Sequence, residues 1–202
     1  MLRIPYETVP LTDDFTIRKE DYFRENGGII FPNPNAPTGV ELGMQDVEAI
    51  IKANPDVIVV VDEAYVDFGA ASALPLIEKY DNLLVVQTFS KSRGMAGMRI
   101  GYAMGNPVLI KYLNDVKYSF NSYTMDQTTL ALGAAAIADR AYFEETVHKV
   151  VETREWTKKE LEKPGICLRR FESQLYFRFS SGDSGSRTVC STPGSQHYRA
   201  LL

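Results

Sequence analysis

Three short, continuous apolar runs, each handing over to a polar loop, constrain this chain more than any other feature. They are GIIF at residues 28–31, VIVVV at 57–61 and LLVV at 83–86. Apolar runs rich in β-branched residues, without alternation, predict strands covered on both faces, as in a parallel sheet. Between and after them the apolar spacing turns helical. Residues 42–53 carry Met44, Val47, Ile50 and Ile51 on one stripe. A short helix is expected at 75–80 and a fourth strand at 99–104. Helices are expected at 107–118, 122–138 and 140–163, the last long and strongly charged. Strands alternating with helices predict an α/β fold, a mostly parallel sheet flanked by helices.

Composition narrows the classes of function. The 202 residues suit one large domain, or a domain with a fragment of another. A content of 45% hydrophobic and 24% charged residues is that of a globular chain and excludes general disorder. The net charge of -4 leaves no basic footprint for nucleic acid. No apolar run reaches the ~18 residues of a membrane helix, and the N-terminus has no signal-peptide core. A cytoplasmic protein with no nucleic-acid or membrane partner is expected. Cys167 and Cys190 are too few for a disulfide framework and suit a reducing compartment. His148 and His197 lie at no metal-ligand spacing and beside no nucleophile motif, so neither a zinc site nor a histidine-based triad is expected.

The ends read differently from the middle. Between residues 180 and 196 six residues are Ser and three are Gly, with Val189 the only large aliphatic. That composition buries too little apolar surface to offset its ordering entropy. Two readings stand: a flexible tail, or a chain that leaves its proper sequence through frameshift or truncation. Residues 1–27 carry only weak strand signals, so partners of the first strand are missing from the pattern. An incomplete sheet exposes edges and apolar surface, and the isolated chain is expected to be poorly soluble or oligomeric. A monodisperse, cooperatively melting monomer would contradict this.

Ligands of open α/β sheets bind at the carboxyl ends of the strands, where the three loops meet. The third loop, TFSKSRGMAGMR, sets Lys91 among Thr88, Ser90, Ser92 and Gly94, with Arg99 eight residues on. Hydroxyls, backbone N–H groups and a fixed cation suit a phosphate. A lysine beside other cations and partly desolvated has its pKa lowered and serves as an amine nucleophile towards a carbonyl. A solvated lysine in a Ser-rich turn is the bland alternative. In the second loop, VDEAYVDF, Asp62 ends an apolar strand, where its carboxylate needs a partner. A helix cap or an ion pair would also explain it, and Tyr65 alone reads as a packing residue. The first loop, NPNAPTG, is a rigid turn, of the kind that could shelve a flat ring.

In this order and at these gaps, NPNAPTG, VVVDEAYVDF and TFSKSRGMAGMRIGY resemble the class I and II aminotransferases of fold type I, which use pyridoxal phosphate. The likeness covers residues 1–175 and is strongest to the histidinol-phosphate aminotransferases. It implies that Lys91 bonds covalently to pyridoxal phosphate and then shuttles the proton. By the same likeness Asp62 holds the pyridine nitrogen protonated and Tyr65 hydrogen-bonds the phenolic oxygen. Thr88, Ser90 and Arg99 match the phosphate-binding positions. The family's asparagine before Pro-Thr-Gly is Ala36 here, and Asn35, one place earlier, is the weak substitute. A cis bond between Ala36 and Pro37 is implied as well.

The resemblance further implies transfer of an amino group between histidinol phosphate and 2-oxoglutarate, giving imidazole acetol phosphate and glutamate, in histidine biosynthesis. An amino donor and a 2-oxo acid are the small-molecule partners, and a homodimer is implied by analogy. Against the family pattern the chain reads as truncated at both ends, with the small domain largely missing. Residues 1–140 form a partial cofactor-binding large domain, 141–179 a long helix and the start of a small domain, and 180–202 the Ser/Gly-rich tail. No substrate-binding arginine is assigned among Arg169, Arg170, Arg178, Arg187 and Arg199. The alternatives are an inactive or weak cofactor-binding relative, a decarboxylase of a phosphorylated amino acid using the same cofactor, and a non-enzymatic α/β module in which Lys91 and Asp62 form a structural pair.

Overall fold

The computed structural model describes residues 4–163, in which the apolar runs form a single four-stranded sheet. Strands β1 (Ile29–Pro32), β2 (Val59–Asp62), β3 (Leu83–Thr88) and β4 (Gly101–Gly105) lie side by side in chain order. The β1–β2 and β2–β3 pairs are parallel and β3–β4 is antiparallel, so the sheet is mixed with a parallel majority. Helix α1 (Met44–Ala53) crosses from β1 to β2. Helices α2 (Pro107–Phe120), α3 (Gln127–Ala138) and α4 (Arg140–Glu162) follow β4. The expected tail at 180–202 and most of the expected small-domain start lie outside the described residues, as do both cysteines and His197.

The core forms between α1 and one face of the sheet. Val47, Ile50 and Ile51 of α1 are fully buried against Ile29, Phe31, Val59, Val61, Leu83 and Val85. At the end of the sheet away from the three loops, asparagines join the elements. Asn54 Nδ2 donates to Tyr22 O at 2.9 Å and Ile50 O at 2.8 Å, and Asn82 Nδ2 donates to Asn54 O at 2.8 Å. These side chains satisfy carbonyls that the helix end and the turns leave unpaired.

Four local expectations are corrected. Strand β1 is not covered on both faces, whereas in β3 the consecutive Leu83, Leu84 and Val85 are all buried. Ile30, between the buried Ile29 and Phe31, is 72% exposed, because α1 covers only the face that Ile29 and Phe31 share. The expected helix at 75–80 is a single 3-10 turn, Leu74–Leu76, opened by Pro75; one turn is too short to propagate an α-helix. The fourth strand starts at Gly101, because Arg99 takes the left-handed conformation (φ 54°) and turns the chain. Helix starts follow their caps. Asn106 accepts from Val108 N–H at 2.8 Å ahead of Pro107, and Asp126 accepts from Thr129 N–H at 2.7 Å, so α3 begins at Gln127 and not near 122.

Truncating a side chain in the α1–sheet core leaves a cavity. Ile50→Ala is expected to lower stability by about 2–5 kcal/mol, whereas Lys52→Ala on the exposed side of the same helix costs about 0–1 kcal/mol. Urea unfolding midpoints of the two variants check this, and equal midpoints would contradict the packing described.

Candidate active site

The three loops after β1, β2 and β3 share one rim, and each is closed by its own polar residues. In the first, Asn33 is buried and bonds both ways with Leu42: Nδ2 donates to Leu42 O at 3.1 Å and Oδ1 accepts Leu42 N–H at 2.8 Å. Its backbone N–H donates to Asp62 O at 2.8 Å, which ties the loop to the end of β2. The peptide bonds Asn33–Pro34 and Ala36–Pro37 are both cis. Asn35 is buried too, but its Nδ2 donates to Thr38 Oγ1 at 2.7 Å inside the turn, and it does not line the cleft.

The second loop carries two adjacent carboxylates with opposite surroundings. Asp62, half-buried, faces the cleft; Oδ1 accepts Ala64 N–H at 3.1 Å, and Oδ2 takes no hydrogen bond among the described residues. Glu63, next in sequence, points into the protein. It accepts from Ala73 N–H at 2.6 Å, Ser72 Oγ at 2.7 Å and Gln87 Nε2 at 2.8 Å, which offsets the cost of its burial. Tyr65 is buried beneath Lys91, whose Nζ sits 4.9 Å from the ring centroid. Two residues on, Asp67 accepts a short hydrogen bond from Ser92 Oγ, joining the second loop to the third beside Lys91.

The third loop contributes most of the cleft. Thr88 Oγ1 lies 3.0 Å from Ser90 Oγ and 3.2 Å from Ile100 O, and it accepts Ser90 N–H at 3.1 Å. Met95 N–H donates to Phe89 O at 3.0 Å and Phe89 N–H to Ile100 O at 3.0 Å, which closes the loop around Lys91. Lys91 Nζ makes no hydrogen bond or ion pair among the described residues. Arg99 uses one, from Nη1 to Ala96 O at 3.0 Å, leaving the rest of its guanidinium uncommitted among those residues.

Asp62, Thr88, Ser90, Lys91 and Arg99 therefore line one cleft of about 430 Å³, with Gln87 beside them. Two hydroxyls and a guanidinium suit a phosphate, Asp62 a protonated ring nitrogen, and Lys91 an aldehyde carbon. The residues present fit pyridoxal phosphate, a group that carries all three functions. Among the described residues no three His, Cys, Asp or Glu side chains gather as a metal site. No helix among them is long and apolar enough to cross a membrane.

Residues 2–180 match the model of the family described as aminotransferase class I and II. The chain belongs to that family. It is 53% identical over 177 residues to histidinol-phosphate aminotransferase of Lactococcus lactis subsp. cremoris, covering 88% of this chain and 50% of that one. To the Pseudomonas syringae enzyme of the same name it is 58% identical over 163 residues, covering 81% and 47%. The crystal structure of histidinol-phosphate aminotransferase from Sinorhizobium meliloti in complex with pyridoxal-5'-phosphate superposes with a TM-score of 0.72 at 30% identity, covering 83% of this chain and 47% of that one. The chain thus spans about half the length of the relatives it matches, and the fold-type I architecture expected from the three motifs is confirmed.

Several residues around this family's lysine loop had no motif to announce them. Gln87 interrupts an apolar strand, a visible signal, but its partner Glu63 reads in sequence like any loop carboxylate. Gln87 Oε1 accepts from Tyr102 OH at 2.7 Å, which extends the network from Glu63 to β4. On the other side, Arg154 of α4 is buried and donates from Nη1 to Phe68 O at 2.8 Å, bracing the second loop.

Burial, with the nearby Asp67 carboxylate adding to it, pushes the Tyr102 phenol above the ordinary tyrosine value of 10.0. A folded-state value raised above the unfolded one contributes stability that is present below the ordinary tyrosine range and lost as pH rises through the folded value. Tyr102→Phe is expected to lower stability by about 1 kcal/mol at neutral pH and to flatten this alkaline decline. Urea titrations at neutral and alkaline pH check it, and an unchanged slope would contradict it.

Proposed function

We propose that this chain carries the cofactor-bonding core of a pyridoxal-phosphate-dependent histidinol-phosphate aminotransferase. Its reaction exchanges the amino group of histidinol phosphate with 2-oxoglutarate, yielding imidazole acetol phosphate and glutamate. The observation that carries the reading is the convergence of Lys91, Asp62, Thr88, Ser90 and Arg99 in one cleft at the carboxyl ends of parallel strands. Support for the substrate comes from relatives above 50% identity that bear that name. A cytoplasmic homodimer is part of the same proposal.

Bound pyridoxal phosphate supplies the electron sink for the charge that develops when the substrate Cα loses its proton. The Thr88 and Ser90 hydroxyls and the Arg99 guanidinium hold the phosphate and stop the ring from sliding. Asp62, with Oδ2 uncommitted, accepts from the ring N–H and keeps that nitrogen protonated, which strengthens the sink. Tyr65 would hydrogen-bond the ring oxygen through its phenol O–H. Lys91 would hold the cofactor covalently through its amine, and its place on the third loop would keep that amine beside the reacting atoms. There the Lys91 amine would hold and move the proton that the substrate Cα gives up, as base and then as acid. In this proposal Asn35 stays with Thr38 and contributes shape to the rim.

The chain mixed with pyridoxal phosphate is expected to show a visible absorbance band that borohydride removes, leaving one covalent adduct mapped to Lys91, and Lys91→Ala should abolish both band and adduct. Asp62→Ala should retain the adduct but shift the band, because the ring nitrogen loses its counter-charge. A folded chain that forms no Lys91-dependent adduct would overturn the reading. With an adduct in hand, carbon dioxide release from a phosphorylated amino acid in place of amino transfer from histidinol phosphate would favour the decarboxylase.

A further inference from the structure

Arg93 lies two residues beyond Lys91, and its surroundings are built around it. Its guanidinium carbon lies 4.2 Å from the centroid of the Phe143 ring and 5.2 Å from that of Phe89. Nη1 donates to Ala136 O at 2.7 Å, in the last turn of α3. A cation there meets the negative end of the helix dipole. Phe89, two residues before Lys91, stacks edge-on against Tyr102 at 5.8 Å and 88°. Gly133 of α3 faces the other end of the loop, where a Cβ would lie 2.9 Å from the terminal methyl of Ile100.

We infer that Arg93 is a positioning residue for Lys91, clamping the lysine loop to the ends of α3 and α4 through Phe143 and the Ala136 carbonyl. The inference rests on the aminotransferase reading of Lys91. Lys91 Nζ has no hydrogen bond or ion pair among the described residues and rests only on the Tyr65 ring, so its place is set by the backbone on either side. Ser92 is held on one side by Asp67 of the second loop, and Arg93 on the other by α3 and α4. The clamp thus joins the third loop to both α3 and α4. Geometry selects arginine. A planar guanidinium can stack on two rings and still donate in its own plane to a carbonyl, which an ammonium group cannot do.

The test compares the full-length wild type with R93K, F143L and F143Y. The first readout is pyridoxal phosphate affinity, followed as the borohydride-fixed adduct on Lys91. The second, made without cofactor, is competitive acetylation of Lys91 relative to the exposed Lys111, read by mass spectrometry. R93K and F143L are each expected to weaken cofactor binding by about three- to tenfold, through loss of the partly buried cation–π contact between Arg93 and Phe143. Both should raise Lys91 acetylation towards that of Lys111, while F143Y, which keeps the ring, should match the wild type. If R93K does not fold, the F143L and F143Y pair decides. Wild-type affinity and wild-type Lys91 labelling in folded F143L would overturn the inference, as would F143Y behaving like F143L. A wild-type chain that takes up no cofactor would instead refute the aminotransferase reading, and the acetylation ratios would still judge the clamp.

Discussion

The strand register that pairs Pro32 with Asp62 and Asp62 with Val86 governs the arrangement of the cleft. Parallel pairing brings three carboxyl ends to one rim, and the backbone there continues the ladder into the loops. Asn33 N–H donates to Asp62 O and Glu63 N–H to Val86 O, both at 2.8 Å. Successive side chains point to opposite faces, so Asp62 meets the cleft while Glu63 meets Ser72, Ala73 and Gln87. A slip of one residue would exchange the two carboxylates. The cleft would then receive a longer side chain in the wrong place, and the buried donors around Glu63 would lose their acceptor. Leaving such donors unsatisfied costs about 1–3 kcal/mol each, so polar burial and apolar packing select the same register.

Around that register the buried polar groups form a second layer of order. Glu63 and Asn33 shape the loops from beneath, and both find their partners in backbone or in side chains distant in sequence. Arg154 reaches from α4 to the carbonyl of Phe68, while Phe143 of the same helix faces Arg93. Helix α4 therefore touches both the second and the third loop. The apolar core against α1 lies on the other face of the sheet and supplies stability without entering the cleft.

Much of this was legible in the chain. The three apolar runs and their order established the parallel strands, and the loop motifs named Asp62, Tyr65, Thr88, Ser90, Lys91 and Arg99, five of which line one cleft. Tyr65 is the sixth, placed beneath Lys91. Asn35 was legible only as a position in a motif; its amide is taken up by Thr38, a local bond that spacing does not reveal. The outer face of β1 also escaped sequence reasoning. A run such as GIIF reads as buried on both sides, yet Ile30 stands open, because coverage depends on which helix lies across the strand and not on the strand itself.

The sequence by itself determined the element order, the family and the side chains that gather in the cleft, because those rest on local periodicity and on residue types at short spacing. Only the tertiary structure decided which of two adjacent carboxylates faces the cleft, that Gln87 and Tyr102 extend from the buried one, and that Arg93 sits against Phe143. Each of these contacts joins residues far apart in the chain. Their free energy depends on a mutual geometry that exists only once the sheet and helices have packed.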